Sequence, residues 1–256
     1  MPVIILCGGK GTRLREQTEY IPKPLVEIGG KPILWHIMKL YSHYGYNDFI
    51  LALGYKGETI KQYFRDYSWR ANDISIDMST GKTEIISNGA PLPWNIKFVD
   101  TGQETNTGGR IKKLQNLINT ENFMVTYGDG LSDINIGNLV EFHKDHSKTA
   151  TLTGVFPFSS FGVIKFTREN LITLFDEKPK IDTRINGGFF VFRKKVFELI
   201  NDNDVLEQKP LRSLAEKKEL MIYKHDGFWK CMDTYRDYLS FNEMWSKGNT
   251  PWKAWS

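Results

Sequence analysis

A glycine-rich segment near the amino terminus carries the residue types that bind phosphate. The segment "GGKGTR", residues 8–13, follows directly on an apolar run that ends at Cys7. Glycines after a strand let backbone N–H groups approach an anion, and the planar guanidinium of Arg13 can donate to two phosphate oxygens. The dinucleotide fingerprint does not fit, because Leu14 stands where its third glycine must pack, and the P-loop fails because no glycine lies at the required upstream spacing. We therefore expect a phosphate-binding loop of a third kind.

One lysine and two aspartates could complete such a site. Lys23 lies between two prolines in "PKP", which restrict the backbone and could fix the direction of the ammonium; a surface turn with a solvated lysine is the alternative. Asp129 follows an apolar run in "YGDG", where it could bind a hydrated cation or simply occupy a turn. Asp233 in "CMDTY" precedes a helical pattern and could be a second metal ligand, a helix N-cap, or both.

Two later segments carry groups that could bind a sugar or its phosphate. In "FDEKP", Glu177 and Lys178 stand before a proline and could serve a hydroxyl and a phosphate, or form an ordinary charged loop. In "INGGFFVF", the amide of Asn186 could hydrogen-bond a sugar, while Gly187 and Gly188 could equally form a β-bulge. Taken together, phosphate donors, two cations and two candidate metal carboxylates predict phosphoryl or nucleotidyl transfer.

Apolar runs alternate with helical patterns through the first half of the chain. Strands are predicted at 3–7, 49–53, 95–99 and 123–127, and helices at 32–41, 58–67 and 110–118. This alternation predicts an α/β fold with a mostly parallel central sheet and helices on both faces. Ligands of such sheets bind beyond the carboxyl ends of the strands, so "GGKGTR" and "YGDG" are expected to face one crevice.

The second half of the chain has a mixed pattern. Strands are predicted at 150–156, 163–166, 171–175 and 189–192, and helical patterns at 194–200, 211–218 and 235–245. The turn-rich segment 69–93 contains the alternating "TEII" and is expected to form an exposed excursion with a hairpin. Without an internal repeat or a low-complexity linker, one continuous domain over residues 1–256 is favoured over two independent ones.

The totals exclude several classes of protein. The 256-residue chain has 34 basic and 30 acidic residues, a net charge of +4, and no block of Lys and Arg as long as those of nucleic-acid-binding arms. Its two cysteines, Cys7 and Cys231, form neither a disulfide framework nor a zinc motif, and Cys7 is expected to be a buried reduced thiol. No apolar run approaches the ~20 residues of a membrane span, and "MPVIILC" is too short for a signal peptide. We therefore expect a soluble cytoplasmic protein with neither a nucleic-acid nor a membrane partner.

The order of these motifs resembles a known family. "GGKGTRL", "PKP", "GGKPIL", "YGDG", "FDEKP" and "NGGFFVF" occur in the order seen in sugar-1-phosphate nucleotidyltransferases, and the resemblance runs essentially end to end. "VEIGGKPILWHIMK", "TGGR" and "PWKAW" are most similar to the cytidylyltransferase branch, which makes CDP-glucose for deoxysugar synthesis. The resemblance implies a Rossmann-like nucleotidyltransferase fold and a Mg²⁺-dependent reaction of CTP with α-D-glucose 1-phosphate. Residues 1–130 would mainly bind nucleotide, and residues 131–256 would supply the mixed β sugar-binding half and the carboxyl-terminal helices.

The resemblance also implies a role for each candidate residue. The nucleotide would be bound by Leu6, Gly8, Gly9, Lys10, Gly11, Thr12, Arg13, Arg110 and Gly128. Within that set Arg13 would contact the leaving pyrophosphate, and Arg110 of "TGGR" would lie near the nucleotide in its own or a neighbouring subunit. The catalytic Lys23 would neutralise charge near the reacting phosphoryl group. Magnesium would be held by Asp129 and Asp233, the sugar phosphate by Lys178, and the sugar hydroxyls by Glu177, Asn186 and Gly187.

Several alternatives remain open at this point. Relatives often carry leucine at the position of Lys10, which could contact the triphosphate or point to solvent. A uridylyl- or thymidylyltransferase would share the phosphate-binding residues, and a non-catalytic sugar-nucleotide sensor could share the fold. A nicotinamide-dependent oxidoreductase is disfavoured by the missing fingerprint. The family commonly forms homo-oligomers, and Trp245, Trp252 and Trp255 could form an interface or pack back on their own core, while the excursion at 69–93 could be an oligomer contact or a lid.

Overall fold

A seven-stranded sheet forms the centre of the computed structural model, which describes residues 1–9, 11–14, 18–86, 91–159 and 161–255. The strands in these ranges are β1 (Val3–Cys7), β2 (Glu27–Ile28), β3 (Lys31–Pro32), β4 (Asp48–Leu53), β5 (Ile74–Asp77), β6 (Lys82–Ile85), β7 (Asn95–Asp100), β8 (Asn122–Tyr127), β9 (Gly130–Ser132), β10 (Ala150–Val155), β11 (Val163–Phe166), β12 (Ile172–Asp176), β13 (Ile185–Arg193), β14 (Leu220–Lys224) and β15 (Trp229–Cys231). The central sheet has the order β14-β10-β13-β8-β1-β4-β7. Its neighbouring strands are parallel except where β13 pairs with β8 and β10. The predicted mostly parallel sheet is confirmed.

Helices cover both faces of this sheet. They are α1 (Ile33–His43), α2 (Gly57–Arg65), α3 (Tyr67–Ala71), α4 (Thr107–Lys113), α5 (Ile136–Asp145), α6 (Lys209–Glu216) and α7 (Tyr235–Ser246), with 3₁₀ turns at Thr12–Leu14, Lys23–Leu25, Gln115–Leu117 and Lys194–Glu198. In β1, Val3 and Ile5 face a core that includes residues of α1, α2, α5 and α7, whereas Ile4 and Leu6 face a core that includes α4 and α6. Because both faces are covered, all of β1 is buried.

The helix predicted at 110–118 begins and ends earlier, as α4. Its first turn contains Gly108 and Gly109, which the sequence pattern treats as helix-breaking. A Cβ on Gly109 would lie 2.0 Å from the Asp202 carbonyl oxygen, and one on Gly108 would lie 2.7 Å from that of Asp204. The glycines therefore let the loop that contains both aspartates pack directly on the helix.

Other differences lie mainly in the second half of the chain. The helix predicted at 194–200 forms only a 3₁₀ turn, and α5 and β14 have no counterpart among the predicted elements. The first turn of α5 contains Gly137 and is capped by Asn135, whose side chain accepts a hydrogen bond from the backbone of Asn138 at 2.9 Å. This polar start obscures the helical period. The hairpin expected within 69–93 is confirmed as β5 and β6, and residues 87–90 lie outside the described ranges.

The aromatic residues near the carboxyl terminus pack on the core of their own chain. Trp252 and Trp255 are 0% and 9% exposed, and both rings contact the buried ring of His36. Trp245 also contacts His36 and lies so close to Gly29 that a Cβ there would be 2.1 Å from the indole. The alternative that the tail packs back on its own core is therefore confirmed.

Two expectations drawn from the totals can be compared with the structure. Cys7 is a buried free thiol, as expected, and burial raises its pKa above the ordinary value. Among the residues that the structure describes, no helix is long and apolar enough to cross a membrane. The cytoplasmic location stays a prediction.

The carboxyl edge of the sheet is where both halves of the chain meet. β1 and β8 are parallel neighbours, so Gly8 and Gly128 follow them at the same edge, and Gly128 N donates to the Leu6 carbonyl oxygen at 3.1 Å. β13 runs in the opposite direction, so its amino end brings Asn186 to that edge. The fold therefore creates the expected crevice.

Candidate active site

A cavity of about 490 Å³ opens at the carboxyl edge of the sheet. Its lining includes eleven of the candidate residues, namely Leu6, Gly8, Gly9, Arg13, Lys23, Arg110, Gly128, Asp129, Asn186, Gly187 and Asp233. Gly11, Glu177 and Lys178 are not in this lining. Lys10 and the side chain of Thr12 lie outside the described part of the chain. Most of the phosphate, metal and sugar groups expected from the sequence thus share one crevice.

The buried Arg110 side chain supports the glycine loop. Its Nη2 donates to the Gly8 carbonyl oxygen at 3.1 Å, and its Nη1 donates to the carbonyl oxygens of Leu53 and Gly102 at 2.9 and 2.7 Å. Burial lowers the pKa of Arg110 from its ordinary value, but an arginine stays charged at neutral pH. Arg110 therefore ties the loop to the ends of two neighbouring strands of its own chain.

Replacing Gly8 by alanine is expected to destabilise this loop. The added Cβ would lie 2.1 Å from Cζ and 2.2 Å from Nη1 of Arg110, a group held by several acceptors and so unable to retreat freely. Overpacking of this kind costs about 1 to 3 kcal/mol of unfolding free energy, measurable by urea denaturation. Gly9→Ala is the matched control, because its Cβ would meet no atom of the described chain within 4 Å. Equal stability of the two variants would contradict the contact.

Four charged groups converge at the centre of the cavity. Lys23 Nζ lies 2.6 Å from Asp129 Oδ2 and 2.7 Å from Asp233 Oδ1, and Arg13 Nη1 lies 3.3 Å from Asp233 Oδ2. The Lys23 side chain is only 13% exposed, so the solvated surface turn is wrong. Burial favours a lower pKa for Lys23, but the two carboxylates outweigh burial and raise its pKa above the ordinary value. Burial likewise favours a higher pKa for Asp233, but the hydrogen bond and charge of Lys23, the charge of Arg13 and the hydrogen bond from Cys231 together outweigh burial and lower that pKa.

A short two-stranded ribbon brings the two aspartates together. β9 begins directly after Asp129, β15 ends two residues before Asp233, and the two strands pair with Gly130 opposite Cys231. Met232 N then donates to the Asp129 carbonyl oxygen at 2.8 Å. Because this antiparallel pair is in register at its end, both carboxylates emerge on the same side as Lys23.

Asp233 is free of the capping role that the sequence allowed. The N-cap of α7 is Thr234, which forms a reciprocal capping box with Asp237, so the N-cap alternative for Asp233 is wrong by one residue. Its carboxylate is left to converge with that of Asp129 on one cation, here the Lys23 ammonium. Two carboxylates with room for water and phosphate oxygens suit Mg²⁺, and no cluster of three or more ligating side chains occurs among the described residues. The residues present therefore fit a hydrated magnesium ion.

The amino end of β13 forms another wall of the cavity, with Asn186, Gly187 and Gly188 in its lining. The register between β10 and β13 is interrupted over Gly187 and Gly188, and Gly188 has φ of +79°, so the β-bulge interpretation is confirmed. Asn186 Nδ2 donates to the Tyr127 hydroxyl at 3.1 Å, and Trp229 Nε1 donates to the Gly187 carbonyl oxygen at 2.7 Å. The bulge thus turns polar groups of β13 toward the cavity.

The "FDEKP" segment lies outside this cavity. Lys178 Nζ pairs with Glu177 Oε1 at 2.9 Å, and the Glu177 side chain is 58% exposed. Lys178 instead lines an adjoining cavity of about 710 Å³ that shares Arg13 and Asp233 with the first. The structure therefore places Lys178 on the far side of these two residues and leaves Glu177 on the surface.

Sequence reasoning missed several residues that line the crevice. Tyr127, the last residue of β8, could have been found from its place directly before "GDG". Thr107 begins α4, whose start was predicted too late. Trp229 reaches the cavity through the pairing of β9 with β15, which no local pattern signals.

Comparison with known proteins identifies the family. A family model described as "Nucleotidyl transferase" matches residues 2–246. The chain belongs to the nucleotidyl transferase family. This nucleotidyl transferase is 48% identical over 257 residues to a Bacillus subtilis protein named "Probable glucose-1-phosphate cytidylyltransferase" and 48% identical over 258 residues to the Salmonella typhimurium protein named "Glucose-1-phosphate cytidylyltransferase". Both matches cover 100% of each chain. The chain is therefore an enzyme, and the oxidoreductase alternative is wrong.

More distant relatives share the fold of the nucleotidyl transferase. The "Mannose-1-phosphate guanyltransferase" of Saccharomyces cerevisiae is 31% identical over 253 residues, covering 94% of this chain and 63% of that protein. The crystal structure of HddC from Yersinia pseudotuberculosis superimposes with a TM-score of 0.69 at 23% identity, covering 95% of this chain and 99% of that one. UDP-glucose pyrophosphorylase complexed with UDP-glucose gives a TM-score of 0.67 at 18% identity, with coverage of 96% and 98%. The predicted nucleotidyltransferase fold is confirmed.

Proposed function

We propose that the enzyme transfers CMP from CTP to α-D-glucose 1-phosphate, giving CDP-glucose and pyrophosphate. The convergence of Lys23, Asp129 and Asp233 opposite the glycine loop supports nucleotidyl transfer, because cations and a metal site face a backbone suited to phosphate. The substrates are supported by the 48% identity, over full length, to relatives named glucose-1-phosphate cytidylyltransferase.

The chemistry requires positioning and charge stabilisation more than proton transfer. A phosphate oxygen of the sugar phosphate is already ionised at neutral pH, so it can attack the α-phosphorus of CTP in line without a general base. Repulsion between the two phosphates is the obstacle, and Lys23 is the least exposed cation of the cluster. Arg13, with a 76% exposed side chain, has the freedom to donate to the departing pyrophosphate. Mg²⁺ held by Asp129 and Asp233 would neutralise phosphate charge.

The remaining roles are part of the same proposal. The loop from Gly8 to Arg13, with Leu6 and Gly128, would bind the triphosphate through backbone groups, and Arg110 would support this loop through its hydrogen bond to Gly8.

Asn186 and Gly187 would contact the sugar, and Lys178 would reach its phosphate from the adjoining cavity, with Glu177 beside it. Residues of both 1–130 and 131–256 line the crevice, and the division into a nucleotide part and a sugar part stays a prediction. The homo-oligomer stays a prediction.

The experiment that tests the proposal is pyrophosphate release by the purified protein. Reactions contain Mg²⁺, α-D-glucose 1-phosphate and one of CTP, UTP, dTTP, ATP or GTP, and a mock purification from cells that lack the protein measures contaminating activity. We expect CTP to be used far better than the other nucleotides. Comparable rates with UTP or dTTP would keep the reaction class and overturn the base preference. Silence with every nucleotide, repeated with other sugar 1-phosphates, would favour the sugar-nucleotide sensor.

A further inference from the structure

Glu207, which is outside the cavity lining, connects two walls of the cavity. One wall contains Tyr127 and Asn186, and the other contains Thr107 at the start of α4. One carboxylate oxygen of Glu207 accepts a hydrogen bond from the Tyr127 hydroxyl, and the other accepts one from Thr107 Oγ1 at 2.8 Å. Tyr127 and Thr107 both line the cavity, whereas Glu207 is an exposed residue outside that lining, on the segment that leads into α6. Each oxygen of the Glu207 carboxylate thus accepts a hydrogen bond from a different wall of the cavity.

The Glu207 oxygen that accepts from Tyr127 is connected to the residues proposed to bind the sugar. The hydroxyl of Tyr127 donates to Glu207 and accepts from Asn186 Nδ2 at 3.1 Å, and Asn186 Oδ1 accepts from Gly188 N at 2.9 Å. These bonds fix which end of the Asn186 amide faces the tyrosine. Burial and the neighbouring Glu207 carboxylate raise the pKa of Tyr127 above its ordinary value, so the phenol keeps the proton that it donates.

The Glu207 oxygen that accepts from Thr107 is connected to the residues proposed to bind the nucleotide. Thr107 is the first residue of α4, and its hydroxyl also accepts a hydrogen bond from Leu206 N at 2.9 Å. Three residues later on the same helix, Arg110 donates to the Gly8 carbonyl oxygen. Gly109 N donates to the Asp204 carbonyl oxygen at 3.0 Å, so the segment that carries Glu207 is fastened to α4 at more than one point.

We propose that Glu207 is a positioning residue that fixes the sugar-binding wall relative to the nucleotide-binding wall of the cavity. It touches neither substrate and acts through Tyr127 on Asn186 and through Thr107 on α4. The inference rests on the proposed function, because it assigns the two walls to a sugar phosphate and a nucleoside triphosphate. A carboxylate suits this place because each of its two oxygens accepts one of the two hydrogen bonds, whereas an amide offers a single acceptor oxygen.

Four single variants separate the two connections. Tyr127→Phe removes the sugar-side bond and is expected to raise the KM for glucose 1-phosphate about tenfold, as loss of one hydrogen bond to a charged group would, while the KM for CTP changes less than about twofold. Thr107→Val removes the nucleotide-side bond and is expected to produce the reverse pattern. Glu207→Ala is expected to raise both constants. Glu207→Gln, which retains the volume and one acceptor oxygen, is expected to lie between wild type and Glu207→Ala.

A double variant and a control variant complete the test. The Tyr127→Phe/Glu207→Ala protein is expected to have the same KM for glucose 1-phosphate as the worse single variant, because both changes break one connection. Glu216→Gln, at an exposed glutamate of α6, is the control and is expected to match wild type. Unchanged constants in Glu207→Ala, multiplicative effects in the double variant, or equal rises for both substrates in Tyr127→Phe would overturn the positioning role. A wild-type protein that releases no pyrophosphate would instead overturn the proposed function, and this inference with it.

Discussion

Replacing Lys23 by alanine is expected to lower kcat/KM for pyrophosphate release. The decrease should correspond to a loss of about 2 to 4 kcal/mol of transition-state stabilisation, comparable with loss of one preorganised oxyanion donor. The ammonium lies 2.6 and 2.7 Å from two carboxylates, so its position is fixed before substrate binds. A fixed cation needs no reorganisation when charge develops on the reacting phosphoryl group. Initial rates at varied concentrations of each substrate give the measurement.

Lys23→Ala also removes the positive charge beside the proposed metal site. Asp129 and Asp233 lose the cation that they share, so their affinity for Mg²⁺, measured by calorimetry without substrates, is expected to stay equal or rise. Lys61→Ala is the control, since Lys61 pairs with Glu58 on α2 and lines a different cavity. A kcat/KM within a few-fold of wild type would remove Lys23 from the catalytic residues.

Asp129→Asn is expected to lower activity on the order of 100-fold, which corresponds to about 3 kcal/mol of transition-state stabilisation, and raised Mg²⁺ should restore it only in part. Asparagine retains the shape and one oxygen ligand but removes one of the two negative charges that converge on the cation. The measurement is the initial rate as a function of Mg²⁺ concentration.

Asp233→Asn is expected to change the Mg²⁺ dependence of the initial rate to a similar degree, because both carboxylates contact one cation in the structure. Asp145→Asn, at an exposed residue at the end of α5, is the control. If Asp129→Asn retained the Mg²⁺ dependence of wild type, that residue would have to be removed from the metal site.

Strands and strand-end motifs were the parts of this molecule that the sequence predicted well. A buried parallel strand is a short continuous apolar run, so β1 and β8 stand out, and the polar residues that follow such runs must lie at one edge of the sheet. That argument alone joins Gly8 with Asp129. The position of Lys23 was harder, because two prolines fix a backbone but do not reveal which carboxylates the side chain meets.

Contacts between distant segments account for most of what the sequence did not predict. Gly108 and Gly109 resemble helix breakers until the loop at 202–204 is packed on them, and this loop is followed by Glu207. The pairing of Tyr127 with Glu207 spans 80 positions and depends on the arrival of both segments at one edge. No periodicity or local motif encodes such a pairing, so only the folded chain reveals it.

During translation, the two strands of the ribbon formed by β9 and β15 become available at different times. β9 is synthesised in the middle of the chain and β15 near residue 230, so the nascent polypeptide already displays its glycine loop while its carboxylate pair does not yet exist. A nascent chain that ends before β15 therefore contains Asp129 but lacks Asp233, so it cannot form the carboxylate pair that contacts Lys23. Catalytic competence arrives late in synthesis, when most of the central sheet has been made.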